Sequence, residues 1–380
     1  MKTQEKGSVI ILMSGLIIIL TGFAALAIDV GRIYIVRNEL QNAADSAALA
    51  GANCLIDHPK LGGSVADCTS PTTTALNWTR ASAKAVDQLG NNSAANLAIS
   101  TTDTGHQVSV GYWNVNGGTT LQAISLSPLG PCTTVGGVMT TACDKPAVSV
   151  KITKDTGKNN GPIAMLTASM FGGSNVPMTA KAIAVLSSPG NVLPGSLIPQ
   201  AINKCMFDLY WDSTTNTPKL ATANILNGVP QIIGQPWEVR IGSSYHYLNC
   251  ESGQWTSFGL DVNNTPAVRD LIANGNPTPL GIGDNTWIEP GTKNTLYDAL
   301  DTKYPTPPGA DVTIAVVNNP TGWSTNTQTP IVAFAGFQIT DIQGGSLKYM
   351  QGHFITSLVT VSSSGIGPFY GTYTPPRLAQ

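Results

Sequence analysis

GSVIILMSGLIIILTGFAALAI (Gly7 to Ile28) runs without a break into DVGRIYIVRNELQNAADSAALAGA (Asp29 to Ala52). The first part is uncharged throughout. As a helix rising about 1.5 Å per residue it spans roughly 33 Å, close to the ~30 Å of a bilayer core. No proline occurs between Met1 and Asp57, so nothing forces the helix to stop at a membrane surface. The expected element is one continuous helix, half in lipid and half outside.

The second half carries its own pattern. Ile33, Val36, Leu40, Ala43, Ala47 and Ala50 recur at three- and four-residue spacing, the period of one helix face. Ala44, Ala48 and Gly51 lie beside them. Small residues four apart allow another backbone to come close. Two arrangements satisfy this: the helix packs on its own domain, or Leu40, Ala43, Ala44, Ala47, Ala48 and Gly51 form an interaction face for a partner helix, including self-association of this chain.

AIDVGRIYIVRNELQNAADSAALAGA after an apolar run resembles the N-terminal segment of TadG-like proteins of the Flp/Tad (type IVc) pilus assembly system. Asp29, Gly31, Arg32, Leu40, Gln41, Ala43, Ala44, Asp45, Ala47, Ala48, Leu49, Ala50 and Gly51 carry the likeness. PAVSVKIT, MLTASMFGGSNVPMTAKAIAVL, IVAFAGFQIT and GHFI echo the family more loosely. The resemblance implies an inner-membrane partner of other Tad pilus components. Processed type IV pilins carry Gly before the cleavage point and Glu five residues beyond it. Here Leu12 stands five residues beyond Gly7, and the nearby acid, Glu5, precedes Gly7. The segment therefore reads as a retained anchor rather than a processed pilin leader.

Composition narrows the class. Charged residues make up 11% of the chain, against a usual ~25%; Gly, Pro, Ser, Thr and Asn replace them. A polar, uncharged surface suits an extracytoplasmic β-rich protein. Net charge is −2 and no basic run occurs, which makes nucleic acid a poor partner, and none is expected. The flanking charges Lys2 and Lys6 against Arg32 and Arg37, offset by Asp29 and Glu39, orient the span only weakly. The cysteines orient it better. Cys54, Cys68, Cys132, Cys143, Cys205 and Cys250 all lie beyond the span, and none forms CxxC. Disulfides in an oxidising compartment are the expected state. Six cysteines allow 15 connectivities; sequential pairing, with Cys205–Cys250 in the second domain, closes modest loops. Ala25-Leu26-Ala27 has the form of a signal-peptidase site, but the apolar run exceeds the about 7 to 15 residues of a signal core.

Along the chain, a helix is expected over Ala75–Leu89, strands over 96–102, 107–115, 147–153 and 176–186, and a short helix from Asn160-Gly-Pro162 to Gly172-Gly173. Ser187 to Pro199, SSPGNVLPGSLIP, reads as an exposed linker. Beyond it, strands are expected at 206–211, 237–241, 255–260, 312–317, 331–339 and 353–361. A helix starts at Thr265-Pro266 and ends at Gly275, and a second is capped by Thr292 and runs to about Tyr304. The fold class is α+β: a cytoplasmic tail (1–6), a transmembrane helix (7–28), a pilin-like helix-plus-sheet domain (29–186), the linker (187–199) and a β-rich domain (200–380).

Motifs for chemistry are missing. His58, His106, His246 and His353 are dispersed, with no HExxH, no GxSxG, no P-loop and no Asp-x-Ser-x-Ser metal motif. Gly281-Ile-Gly283 lacks the third glycine of a dinucleotide loop. Asp284 and Glu289 read as solvated loop acids. Trp113, Trp211, Trp237, Trp255, Trp287 and Trp323 read as core or rim. No catalytic residue, metal site or cofactor is expected. The reading is a single-pass, non-catalytic component of a Tad-like apparatus, N-terminus cytoplasmic and bulk periplasmic or cell-surface. The alternatives are an anchored adhesin or carbohydrate-binding protein, and a periplasmic hydrolase.

Overall fold

The computed structural model describes residues 6–56, 68, 76–126, 129, 143–165, 175–262, 264–289, 294–319, 323, 326–356, 358–360 and 363–379. The first helix, α1 (Lys6–Asn53), is unbroken over 48 residues, as the absence of proline requires. Its two halves differ in surroundings. From Val9 to Ile35 its large apolar side chains other than the half-buried Ile33 are exposed, Ile10 at 72% and Tyr34 at 61%. From Val36 on, one face is buried.

That face packs on α2 (Trp78–Gly90) and an antiparallel sheet. Asn77 caps α2 by accepting a hydrogen bond from the Arg80 amide at 3.0 Å, and Ala81, Ala85 and Leu89 form its buried stripe. The sheet contains β1 (His106–Asn114), β2 (Asp144–Lys154) and β3 (Met178–Val185). Val148, Val150 and Ile152 point into the core with Ala180, Ala182 and Ala184, following the two-residue period of a strand. The strand expected at 96–102 is instead a two-residue ladder, 93–94 against 97–98. Ala95 and Asn96 take positive φ at its turn. The helix expected from Asn160 gives way to an antiparallel bridge between Ile163 and Val176, and 166–174 lie outside the described residues.

The second body is built on seven strands: β4 (Leu197–Asn203), β5 (Val239–Ile241), β6 (Gly253–Phe258), β7 (Asn285–Ile288), β8 (Ala310–Val317), β9 (Thr327–Gln343) and β10 (Tyr349–Phe354). The pairings β4–β8, β8–β9, β9–β7, β7–β6 and β6–β4 close into a ring. All are antiparallel except β4–β8. β10 and then β5 extend the sheet from β9. Beside the strands lie α3 (Lys204–Tyr210), α4 (Thr265–Asn274) and α5 (Asn294–Lys303). Asn264 caps α4, Pro266 occupies its first turn and Gly275 ends it with φ 77°. Thr292, the expected cap of α5, is outside the described residues.

Two sequence expectations are corrected here. Met206 to Trp211 is not a strand: residues 204–210 are helical, burying Met206, Phe207 and Tyr210 on one face. Aromatic content alone favoured β, and tertiary packing overrode it. Ser187–Pro199 is not an exposed linker either. Ser187, Ser188, Val192, Leu197 and Ile198 are buried, residues 191–192 pair with 280–281 and 363–364, and β4 begins at Leu197. The prolines here interrupt strands without freeing the chain.

The end of the chain returns to the first body. β11 (Arg377–Leu378) pairs antiparallel with β3, so the first sheet runs β11-β3-β2-β1. The Thr374 amide donates to Ser187 O at 2.7 Å, and Tyr373 joins the first core. Lys145, 5% exposed on β2, donates to Gly367 O at 3.4 Å. Burial first, and the nearby Arg377 charge second, pull its pKa down to about 8.

Candidate functional site

The expected interaction face of α1 is already covered. Leu40, Ala43, Ala44, Ala47 and Ala48 have no exposed surface. A Cβ on Gly51 would lie 2.8 Å from Ala81 O, 2.9 Å from the Ala85 Cβ and 3.0 Å from the Val148 Cγ1. The close backbone approach that small residues permit is real, but the partner is the chain's own α2 and β2. The face is corrected from a surface to a core. Polar residues pin the same docking: Gln41 donates to Lys181 O at 3.1 Å, the Ala95 amide donates to Glu39 Oε2 at 2.8 Å, and Asn92 Nδ2 donates to Ser46 Oγ at 3.2 Å. Three added heavy atoms at a site without free surface overpack the core, and we expect Ala47→Leu to lower stability by about 1–3 kcal/mol. Denaturant unfolding of the detergent-solubilised chain measures this.

What α1 leaves open is its apolar length. Val30, Tyr34 and Ile35 continue the exposed surface past Ile28. From Val9 to Ile35 a helix rises about 40 Å, longer than the ~30 Å hydrocarbon core. Tyr34, between Arg32 and Arg37, has the composition of an interfacial anchor.

The cysteines follow the sequential order where described. Cys54 bonds Cys68 and Cys205 bonds Cys250, with Cα separations of 5.1 and 6.0 Å. Cys143 is disulfide-bonded, and Cys132 lies outside the described residues. The first bridge ties the end of α1, and the second ties α3 to the 250–251 strand.

Polar chemistry gathers at the β5-β10-β9 side of the second sheet. His353 Nδ1 and Glu238 Oε1 are 2.7 Å apart, and Thr340 Oγ1 donates to Glu238 Oε2 at 2.6 Å. Arg240 lies over the Tyr349 ring, 4.1 Å from its centroid, and its Nε donates to Gln351 Oε1 at 3.0 Å. Tyr349 donates to Asp341 Oδ2 at 2.7 Å. Desolvation, then the bond to Asp341 and its charge, push the Tyr349 pKa up to about 12. Both Glu238 oxygens are engaged across strands, so the cluster acts as a cross-strand tie. Sequence reading missed it because its members come from 238–240 and 340–353.

The remaining candidates separate. Asp284 Oδ2 accepts from the Gly281 amide at 2.7 Å within a turn, while Glu289 is 3% exposed and its amide donates to Trp255 O at 2.9 Å. The solvated-acid reading is thus wrong for Glu289, which strand pairing with β6 carries inside. Trp113, Trp211 and Trp255 are buried. His106, His246 and His353 do not converge, and His58 is outside the described residues; among the described residues no three His, Cys, Asp or Glu could hold a metal. Arg269, Ile272, Ala273, Asp298, Ala299 and Lys303 line an open groove of about 720 Å³ between α4 and α5. Lys303 is spent there on the Ile272 and Ala273 carbonyls, at 2.7 and 2.6 Å.

Residues 7–53 match the Tad family model, that of Flp pilus-assembly TadE/G-like proteins. No curated protein and no solved structure matches the chain.

Proposed function

We propose that this protein is a membrane-anchored, non-catalytic component of a Tad-like pilus assembly or secretion apparatus that works through protein contacts. The observation that carries the reading is α1. It is one helix whose apolar half is wholly exposed and whose second half forms the core of a folded body, and the same residues match the pilus-assembly family. A helix built this way couples a membrane position to a rigid extramembrane body. Residues 7–28 lie in the inner membrane in this reading, with the N-terminus cytoplasmic and the bulk periplasmic or at the surface, where the disulfides persist. The chain then divides into a helix-plus-sheet body from 29 to 186 and a β-rich body from 200, whose tail stitches back to the first.

Deleting the gene and imaging pili tests this. Loss of pili, restored by the full chain and not by a chain lacking 7–28, supports it. Normal pili and secretion in the deletion strain contradict it.

A further inference from the structure

The lipid-facing surface of α1 leads up to a hairpin of the first body. Ile28, Arg32, Ile35 and Glu39 follow one another at four-, three- and four-residue spacing, so they share one helix face. Ile28 and Ile35 are exposed on it, at 57% and 60%. Glu39 ends the stripe, its Oε2 accepting from the Ala95 amide at 2.8 Å. Ala95 is at the turn of the 93–98 ladder, so this hairpin overhangs Ile35.

α1 supplies the height scale. Gly51 lies against Ala81 and Ala85, and Asn92 donates to Ser46. α2 therefore descends beside α1, and the hairpin that follows it is the lower end of the body. Glu39 is four residues, about 6 Å, above Ile35. Helix side chains lean toward the N-terminus, so its carboxylate holds the hairpin lower still. Val9 to Ile35, about 40 Å, matches a bilayer with its headgroup layers, about 40–45 Å. The hairpin turn thus stands within about one side chain's length of the headgroups. An overlong apolar helix tilts, and a tilt toward the hairpin closes the remaining gap.

The residues at the turn suit lipid. Asn96, Leu97 and Ala98 are exposed, Leu97 at 49%. No residue from Asn91 to Thr102 is charged, so seating the turn strips water from no charge. The hairpin is also braced. Asn160 Nδ2 donates to Ala98 O at 3.0 Å, and the Ser100 amide donates to Asn159 Oδ1 at 2.9 Å. Asn159 Nδ2 in turn donates to Gly105 O and Thr153 O, each at 2.8 Å. A contact at the turn is therefore carried into the first sheet. We infer that the 93–98 hairpin is a membrane foot, with Leu97 seated in the headgroup layer of the bilayer that holds α1. Anchor and foot together set the angle at which the first body stands on the membrane.

This rests on the anchoring half of the proposed function, and the test separates the two. Full chains carrying Leu97→Cys, Ile19→Cys or Ala83→Cys are labelled with bimane. Each is reconstituted into phosphatidylcholine vesicles with nitroxide on the headgroup or on the acyl chain. The described native cysteines are disulfide-bonded, and wild type treated alike sets the blank. Ile19 is 57% exposed on the apolar half of α1. Ala83 is exposed on α2 between Ala81 and Ala85, level with Gly51, twelve residues or about 18 Å above Glu39. The expected result is quenching of the Ile19 label by acyl-chain nitroxide, of the Leu97 label by headgroup nitroxide, and of the Ala83 label by neither. A Leu97 label quenched no more than the Ala83 label, with Ile19 quenched, overturns the foot and leaves the anchor standing. An unquenched Ile19 label removes the anchor and the foot together.

Discussion

Replacing Cys205 and Cys250 together by Ser lowers the stability of the second body by about 4 kcal/mol. The bridge closes a sequence separation of 45, and constraining an unfolded loop of that length contributes about this much in the chain-entropy account. Local packing adds to the effect. Cys250 is 4% exposed in the main hydrophobic cluster and Cys205 packs against it beside Phe207 and Met206. For a body of this size the melting temperature should fall by roughly 10 °C. Calorimetry of oxidised, reduced and doubly substituted protein checks this, the last two agreeing. An unchanged melting temperature would refute the structural role, and with it the strongest reason for placing this body in an oxidising compartment.

Lys145→Met raises stability near neutral pH, by up to about 3 kcal/mol. The gap between the folded pKa of about 8 and the ordinary lysine value is converted at about 1.4 kcal/mol per pK unit. The sign follows from proton counting. Below pH 8 both folded and unfolded chains carry the charge, and the folded state bears the whole cost of burying it. Between pH 8 and about 10.4 the unfolded chain holds a proton that the folded chain has released, so wild-type stability rises with pH. Above pH 10 the trend reverses as tyrosines lose protons more easily when unfolded; Tyr247 is pushed up to about 12 by burial. The variant loses the bond to Gly367 O, which sets the gain below its maximum. Denaturant titrations from pH 6.5 to 9.5 should show a steeper rise for wild type than for Lys145→Met, in which Lys154 and Lys303, also lowered by burial, still contribute. Equal slopes would mean that the ammonium reaches water.

Local signals were legible in the sequence and distant pairings were not. α1 could be read because an apolar run and an absence of proline act residue by residue. α4 could be read because Pro266 and Gly275 mark its ends. The Leu40–Gly51 face was visible as a stripe, but small residues state only that a backbone comes close. That the backbone belongs to α2 depends on Ala81 and Ala85, some thirty residues on. The burial of Ser187–Pro199 depends on strands at 280–281 and 363–364. The return of Arg377–Leu378 to β3 follows from no periodicity. Residues 206–211 misled for a different reason: Met206, Phe207, Leu209, Tyr210 and Trp211 satisfy a strand as well as a buried helix.

The central claim is that α1 stays whole, its apolar half in the membrane and its other half in the core of the first body. The most direct measurement is the intact mass of the protein recovered from carbonate-washed membranes. The account predicts a chain that retains Gly7 to Ile28 and stays in the membrane pellet. A mature protein beginning at Ile28, found in the soluble fraction, would contradict it.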